Sequence, residues 1–581
     1  MMLAMPSPRF SVLVVMMLPI VANVRAATRA SAPDERRFTL FYTAEVHGTL
    51  EPCGCTSDPL GDVARYASVV RAARKQSGDI LLVDAGGLSF PEGGSGSRER
   101  AGNELRAAFL ETELGKLGLV APGLADTDIA PGPLHLVTPP RMAVNLKFAA
   151  GVKTAPSVLR TIGGIKIGVL GVVDPAVATT ALSGRVEDPV VAARREAQRL
   201  RTGGAEIVIV LAPVERAVAR RIAREARVDF VVCGRQVGAG SPRADVVPHS
   251  SDLTPEEKLG LKDDNVRITL SPDIRPDAFL LTPSDELQRV GRLDVVLRGH
   301  GPLVPAGSPE TATMRKAELA RDIADIDANL ARWSRQGINS TFVAGMRQRR
   351  EALVAEQARL TASPSGPPVE GSYFINTLIP LSRSLPRDPA IAAAMHGLDA
   401  KIAKVNVANA APPPPAEPGR PSYVGMDKCA SCHKQAAALW RTTVHAHAWK
   451  TLVDGGKQAD YKCVGCHVTG YGEIGGSSLG YARRLENVQC ETCHGPGSAH
   501  VGGKGLEEPP AIRRETPASV CTGCHNEHHS DTFNYNAYLR DVLGPGHAAS
   551  ARARLGDGPT GHALRSAALA KATGAQTLEK L

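Results

Sequence analysis

Aromatic residues are scarce in this 581-residue chain, with 11 Phe, 9 Tyr and 3 Trp, yet 43% apolar and 22% charged residues is a globular composition. Disordered and collagen-like classes are excluded on that basis. No apolar run reaches the roughly 18 residues that a spanning helix requires, which argues against an integral membrane protein. The formal charge is +9, an excess that raises nucleic-acid or membrane-surface binding as a question. No basic cluster accompanies it, so nucleic acid is not an expected partner. What the chain does have is cysteine: eleven in all, eight of them in four copies of one motif.

The length corresponds to roughly four domains at about 150 residues each. At the start, Arg9 precedes the mostly apolar stretch from Ser11 to Ala22 and a small-residue exit at Val24-Arg25-Ala26, the layout of a secretory signal over residues 1–26. With that signal removed no integral membrane segment is expected. Short apolar runs then alternate with helical patterns. Phe38 to Thr43, Ile80 to Asp84, Ile165 to Val173, Ile207 to Ala212 and Val228 to Cys233 read as buried strands. Stretches such as Val63 to Lys75 and Leu105 to Leu117 read as helices between them. This predicts a layered α/β domain over 36–300. From about residue 310 the residues Leu319, Ile323, Ile326, Leu330 and Trp333 step by four and three. That seam, broken at Gln336 to Ser340 and resumed at Phe342, Met346, Leu353 and Leu360, predicts a helical hairpin within 310–405. The proline-dense run from Ala410 to Pro421 admits neither helix nor central strand and places a linker at 406–422. A separate domain is expected over 423–548, followed by a weakly ordered tail over 549–581 that is rich in Ala, Gly and Arg.

The four motifs lie in that separate domain. They are Cys429-Ala-Ser-Cys432-His433, Cys463-Val-Gly-Cys466-His467, Cys490-Glu-Thr-Cys493-His494 and Cys521-Thr-Gly-Cys524-His525. Two thiols three positions apart can each form a thioether to one vinyl group of a haem, and the adjoining imidazole reaches the iron. One copy would be compatible with zinc or thiol redox chemistry. Four within a hundred residues predict four covalent haems c. Covalent haem attachment of this kind is completed in the bacterial periplasm, in keeping with the signal. Met426 is the only methionine after the linker, so methionine cannot be the second axial ligand of most haems. The remaining histidines of the region are His445, His447, His500, His528, His529, His547 and His562, enough to make every haem bis-histidine.

Between Tyr423 and His547 the chain resembles the tetrahaem cytochrome c family related to the electron acceptor of hydroxylamine oxidoreductase. The residues that carry the resemblance are Trp440 to Ala448, Cys463 to Gly472, Cys490 to His500 and Cys521 to Phe533. It implies a mostly α-helical multihaem domain that passes electrons to redox partner proteins. It also implies His445, His500, His529 and His547 as distal ligands. In the related pattern Glu precedes the third of these, whereas here His528 stands in that place, and His447 similarly lies beside His445. Some members of the family leave one haem with an open axial position, which would allow chemistry on a small nitrogen or sulfur compound.

Residues 36–300 resemble the metallophosphoesterases of the 5′-nucleotidase type, with most metal ligands missing. Where that family has Asp-x-His-Gly this chain reads Glu45-Val-His47-Gly48, and Asp-Ala-Gly-Asp becomes Asp84-Ala-Gly-Gly87. Gly-Asn-His-Glu becomes Gly123-Leu124-Ala125-Asp126, Ser-His becomes Ala212-Pro213, and Gly-His-x-His becomes Gly234-Arg235-Gln236-Val237. Two-metal hydrolysis needs side chains that hold both cations and lower the pKa of a bridging water. Gly, Leu, Ala and Val offer no ligand atom, so the domain is expected to be inactive. Cys53, Cys55 and Cys233 stand outside the haem motifs, at the ends of expected strands, and a bridge from Cys233 to Cys53 or Cys55 is expected, with a soft-metal site on the three thiols as the alternative.

Overall fold

The computed structural model describes residues 35–572 apart from 53, 94–95, 97, 130–139, 147–153, 177–185, 239–240, 249–275, 300, 307–315, several positions between 317 and 340, 363–365, 506–511 and 527–528. The signal over 1–26, Cys53 and His528 therefore lie outside the described residues. Strands and α-helices are numbered in chain order.

The first sheet has the order β13-β14-β12-β1-β2-β3. It is formed by β1 (Glu35–Thr43), β2 (Ile80–Asp84), β3 (Leu119–Pro122), β12 (Arg289–Arg298), β13 (Val304–Ala306) and β14 (Tyr373–Pro380). The second has the order β10-β11-β9-β8-β7-β6. Its members are β6 (Ser157–Ile162), β7 (Ile165–Gly171), β8 (Ile207–Ala212), β9 (Phe230–Cys233), β10 (Ser241–Pro248) and β11 (Pro276–Thr282). The short pair β4 (Arg141–Met142) and β5 (Thr154–Ala155) stands apart.

Strand pleating sends alternate side chains to opposite faces, and β1 shows the consequence. Phe38, Leu40 and Tyr42 enter the core shared with the second sheet, while Phe41 enters the core on the other face. On that other face lie α1 (Val63–Ser77), α2 (Arg100–Leu117) and α6 (Pro389–Ala408). The far side of the second sheet is covered by α3 (Pro189–Thr202) and α4 (Arg216–Glu225). Each sheet thus has both faces buried, which explains why its strands read as continuous apolar runs rather than alternating ones. The two sheets meet through an aromatic cluster: the Phe374 ring lies 5.2 Å from Phe230 and 4.5 Å from Phe279, both edge to face.

Two expected boundaries change. The α/β frame does not end at 300. After α5 (Thr341–Ala362), whose Arg350 is ion-paired with Asp327 of the preceding helical segment, the chain returns to the first sheet. There β14 pairs antiparallel with β12, and α6 buries Ile391, Met395, Leu398 and Ile402 against α1 and α2. Of the helical hairpin expected over 310–405, the stretch from Thr341 to Ala362 is a continuous helix, the turn at 336–340 lies outside the described residues, and residues 373–408 belong to the frame. The a/d spacing stops by Ala362, and the strand beyond it follows a period of two. The tail is also corrected: α15 (Ala549–Arg554) and α16 (Gly561–Ala572) are helical. Alanine-rich sequence favours helix without large apolar residues, and Asp541 accepts from the backbone N of His562 at 2.9 Å to start α16.

The run from Ala410 to Pro421 carries no helix or strand. It is held to the C-terminal region by hydrogen bonds from Gly475 N to Pro414 O (2.7 Å) and from Ser478 Oγ to Ala411 O (2.6 Å). Beyond it the helices are short: α7 (Met426–Ala430), α8 (Lys434–Trp440), α9 (Ala448–Asp454), α10 (Tyr461–His467), α11 (Cys490–His494), α12 (Ser498–Gly502), α13 (Ala518–Thr522) and α14 (Tyr535–Val542).

If residues 373–408 complete the frame, Phe374→Ala should cost the protein about 3–5 kcal/mol, the usual range for emptying a buried aromatic site. Denaturant unfolding followed on the α/β frame checks this, and a loss below about 1 kcal/mol, too small for an emptied aromatic site, would contradict it.

Candidate functional site

Each motif sits on or directly after one helical turn, which puts its two cysteines, three positions apart, on one face. The following histidine closes that turn: His433 N donates to Cys429 O at 2.9 Å and His525 N to Cys521 O at 2.8 Å. All twelve motif residues line a single cavity of about 2090 Å³. Neighbouring motifs touch through their sulfurs. Cys429 and Cys490 are within hydrogen-bonding reach, as are Cys466 and Cys524, and Cys493 lies beside Cys521. The contacts therefore run from the second motif to the fourth, the third and the first.

The proximal imidazoles are oriented for metal binding. His467 Nδ1 lies 2.5 Å from Ala448 O, His494 Nδ1 lies 2.8 Å from Arg513 O, and His525 Nδ1 lies 3.1 Å from Ser530 Oγ. An acceptor at Nδ1 fixes the tautomer and leaves Nε2 as the ligand atom.

His445, His500, His529 and His547 all line the cavity, whereas His447 does not. The His433 and His500 rings are 6.2 Å apart at 24°, and the His445 and His525 rings 6.1 Å apart at 44°. A metal bonded at about 2 Å to an imidazole nitrogen on either side, with the ring radii added, would give nearly that separation. Burial, then the neighbouring His525 imidazole, pushes His445 down to about 4, so it is neutral and able to bind a metal. Burial also holds His547 below its ordinary value, with His494 close by as a further contributor. His529 has a buried Nδ1 with no hydrogen-bond partner. Among the described ring contacts, neither His467 nor His494 faces a second histidine.

These observations fit haem c: paired thiols on one turn, oriented proximal imidazoles, two pairs of histidines across a gap of iron-binding width, and a large cavity among them. His433, His467, His494 and His525 would hold the iron from one side.

Sequence reasoning missed the residues that position the motifs. Glu491, inside the third motif, accepts from Val424 N (3.0 Å), Gly425 N (2.8 Å) and Gly497 N (2.7 Å). Gln489 Oε1 accepts from Met426 N at 2.7 Å, and Trp440 Nε1 donates to Val488 O at 2.8 Å. The partners lie up to 67 residues away in the chain, so no local pattern reveals them.

In the frame, the positions that match phosphoesterase ligands are occupied by other interactions. The Glu45 carboxylate accepts from Gln236 N (2.7 Å) and Val237 N (3.0 Å). Gly87 has φ 74°, and a Cβ there would lie 3.1 Å from Glu45 Cα. Arg235 is paired with Asp174 at 2.6 Å. Asp84 is buried, and desolvation raises it to about 7 against the hydrogen bond from Thr43. Glu45, His47 and Gln236 have φ of 49°, 54° and 54°, a backbone cost on the order of 1 kcal/mol each. Among the described residues, no group of three or more His, Cys, Asp or Glu is arranged to hold a metal ion. The expected Cys233 bridge is corrected for Cys55: the two are not joined. Cys233 is buried in the inter-sheet core near Tyr42, whereas half-buried Cys55 lines the haem-motif cavity.

These features describe a region resembling c-type cytochromes, with four Cys-x-x-Cys-His motifs on one cavity, joined to a two-sheet α/β frame. Residues 428–495 match the family model described as cytochrome c554 and c-prime, which implies covalently bound haem c. The chain is 38% identical over 85 residues to cytochrome c-554 of Nitrosomonas europaea, 12% of this chain and 36% of that protein, so it spans about a third of the length of this curated relative. Among solved structures it is similar to a 5′-nucleotidase precursor from Thermus thermophilus, at 17% identity and a TM-score of 0.41 over 63% of this chain and 59% of that one. It is similar also to a calcineurin-like phosphoesterase from Bacillus subtilis, at 15% identity and a TM-score of 0.39 over 64% of this chain and 99% of that one.

Two outcomes are expected of the holoprotein. His500→Ala should turn one haem high-spin while the haem content stays unchanged, because Cys429 and Cys432 still hold that group; electron paramagnetic resonance reads this. Glu491→Gln should lower stability by about 2 kcal/mol, since charge-assisted hydrogen bonds to backbone amides are weakened, as measured by denaturant titration.

Proposed function

We propose that the protein is an exported, periplasmic electron carrier in which four covalent haems c pass electrons one at a time between redox partner proteins. The observation that carries this reading is the convergence of four complete Cys-x-x-Cys-His motifs on one cavity, with histidine facing histidine at an iron-binding separation. Haem supplies a metal centre that changes oxidation state by one electron. The chain's own residues do the rest. The cysteines would tether each group, the Nδ1 acceptors keep the His467, His494 and His525 rings in one orientation, and His445, His500, His529 and His547 would be the further ligands, in place of a substrate. Without methionine ligation the potentials are low. Sulfur proximity between motifs would hold the groups close to one another. No helix among the described residues is long and apolar enough to cross a membrane.

The α/β frame is proposed to be catalytically silent as a phosphoesterase, because Gly87, Leu124, Ala125, Pro213, Arg235 and Val237 stand where ligands would be needed. A second reading is favoured by one observation, that among the described ring contacts neither His467 nor His494 has a facing histidine. It assigns one of these two motifs a haem with an open position and makes the protein an oxidoreductase of a small nitrogen or sulfur compound. Carbon monoxide difference spectroscopy of the reduced protein separates the two, since a bis-histidine iron offers no vacant site.

Mass spectrometry of the mature protein should give the chain mass plus four haems, and fewer would defeat the four-haem reading. Nucleotide hydrolysis with added manganese or zinc should be undetectable. Activity that His47→Ala abolishes would overturn the assignment of a silent frame.

A further inference from the structure

The cavity that carries the haem motifs has a second kind of wall. Thr49, Leu50, Glu51, Pro52 and Cys55 of the β1–α1 loop line it, and so does Arg106 of α2. All belong to the α/β frame. The loop leaves the carboxyl end of β1, the edge where an open α/β sheet ordinarily receives a ligand. Here that edge receives the cytochrome region.

The seam is closed by ion pairs that are largely withdrawn from water. Lys457, which precedes the second motif, binds Glu51 at 2.7 Å and Asp399 of α6 at 2.8 Å. Arg106 binds Asp460 at 2.7 Å, with side-chain exposures of 12% and 14%. Asp460 in turn accepts from Lys462 N at 3.0 Å and so starts α10, the helix that carries Cys463, Cys466 and His467. Asn406 Nδ2 donates to Ala459 O at 2.8 Å. At the other end, Ser57 N donates to Asp531 at 3.1 Å, and Arg565, beside His525, donates to Cys55 O. The described contacts of the seam thus reach the second and fourth motifs.

We infer that the α/β frame is a fixed wall of the haem cavity that keeps water and small ligands from the haems of the second and fourth motifs, with Glu51, Lys457, Arg106 and Asp460 as positioning residues. The inference rests on the haem reading above. Burial of a haem favours the reduced form, because ferric iron carries the extra charge and water stabilises charge. Opening the seam should therefore lower the potential of the haems behind it.

The test is a spectroelectrochemical titration of full-length holoprotein, comparing Lys457→Met, Glu51→Gln and Arg106→Met with a control, Lys450→Met, which loses only an exposed pair with Asp454. Charge alone predicts opposite shifts for the first two, since one loses a cation and the other an anion. A wall against water predicts the same downward shift for both, confined to one or two of four midpoints, with Lys450→Met unmoved. Opposite shifts, or none, overturn the inference. Haem content by mass is measured on each sample. A protein with four haems and unmoved potentials defeats the wall and leaves the carrier reading standing, whereas fewer than four haems in the unsubstituted protein defeats the four-haem reading on which the wall rests. Should Arg106→Met fail to fold, Glu51→Gln, nearly isosteric, still decides.

Discussion

The feature on which the C-terminal half depends is the single turn that presents two thiols and an imidazole in one direction. Four such turns surround a space that the protein cannot fill. The largest apolar cluster of the region is Leu452, Val464, Val468, Leu479 and Ala482, too small a core to hold more than a hundred residues against their conformational entropy. Its helices are mostly five to eight residues long, below the length at which a helix sustains itself in water. Folding energy must then come from groups bound in the cavity, as in small metal-dependent domains where binding and folding are one equilibrium.

How much of the molecule is legible in its sequence depends on how local each constraint is. Thioether chemistry requires its residues within five positions, so the motifs and their proximal histidines are legible outright. The strands of the frame are legible because both faces of each sheet are buried. Distal histidines are set by tertiary approach, and sequence narrows them only to a short set. Geometry then favours His445 over His447, since only the former enters the cavity. Glu491 is invisible as a positioning residue for the same reason, its amide partners being brought in by folding. Residues 373–408 are masked by the helical period that precedes them, and only pairing with β12 shows where they belong. Topology alone puts Cys233 on the ligand face, but all four residues of β9 are buried and its side chain points into the inter-sheet core.

The frame satisfies its buried carboxylates from its own backbone. A buried carboxylate left unpaired is costly. Glu45 instead takes the amides of Gln236 and Val237, and Asp128 takes those of Gly87, Ser89 and Ala125 at 2.9 to 3.0 Å. Arg141, fully buried, bonds Glu111 and Ser89. Each carboxylate thus has donors that ask nothing of a cation.

The left-handed backbone at Glu45 and His47 nevertheless persists, although neither residue is glycine. Strain of that kind survives only where the surroundings over-determine it. Those surroundings are identifiable: Glu45 N and His47 N donate to Gly86 O (2.8 Å) and Gly87 O (2.7 Å), and Glu286 N donates to Glu45 O at 2.8 Å. This lattice fixes where the loop from Gly48 to Cys55 leaves the sheet, and with it the position of Glu51. A side chain that must meet Lys457 across a domain seam needs a rigid base. The turn at Glu45 and His47 supplies one, so its strained geometry has a physical use.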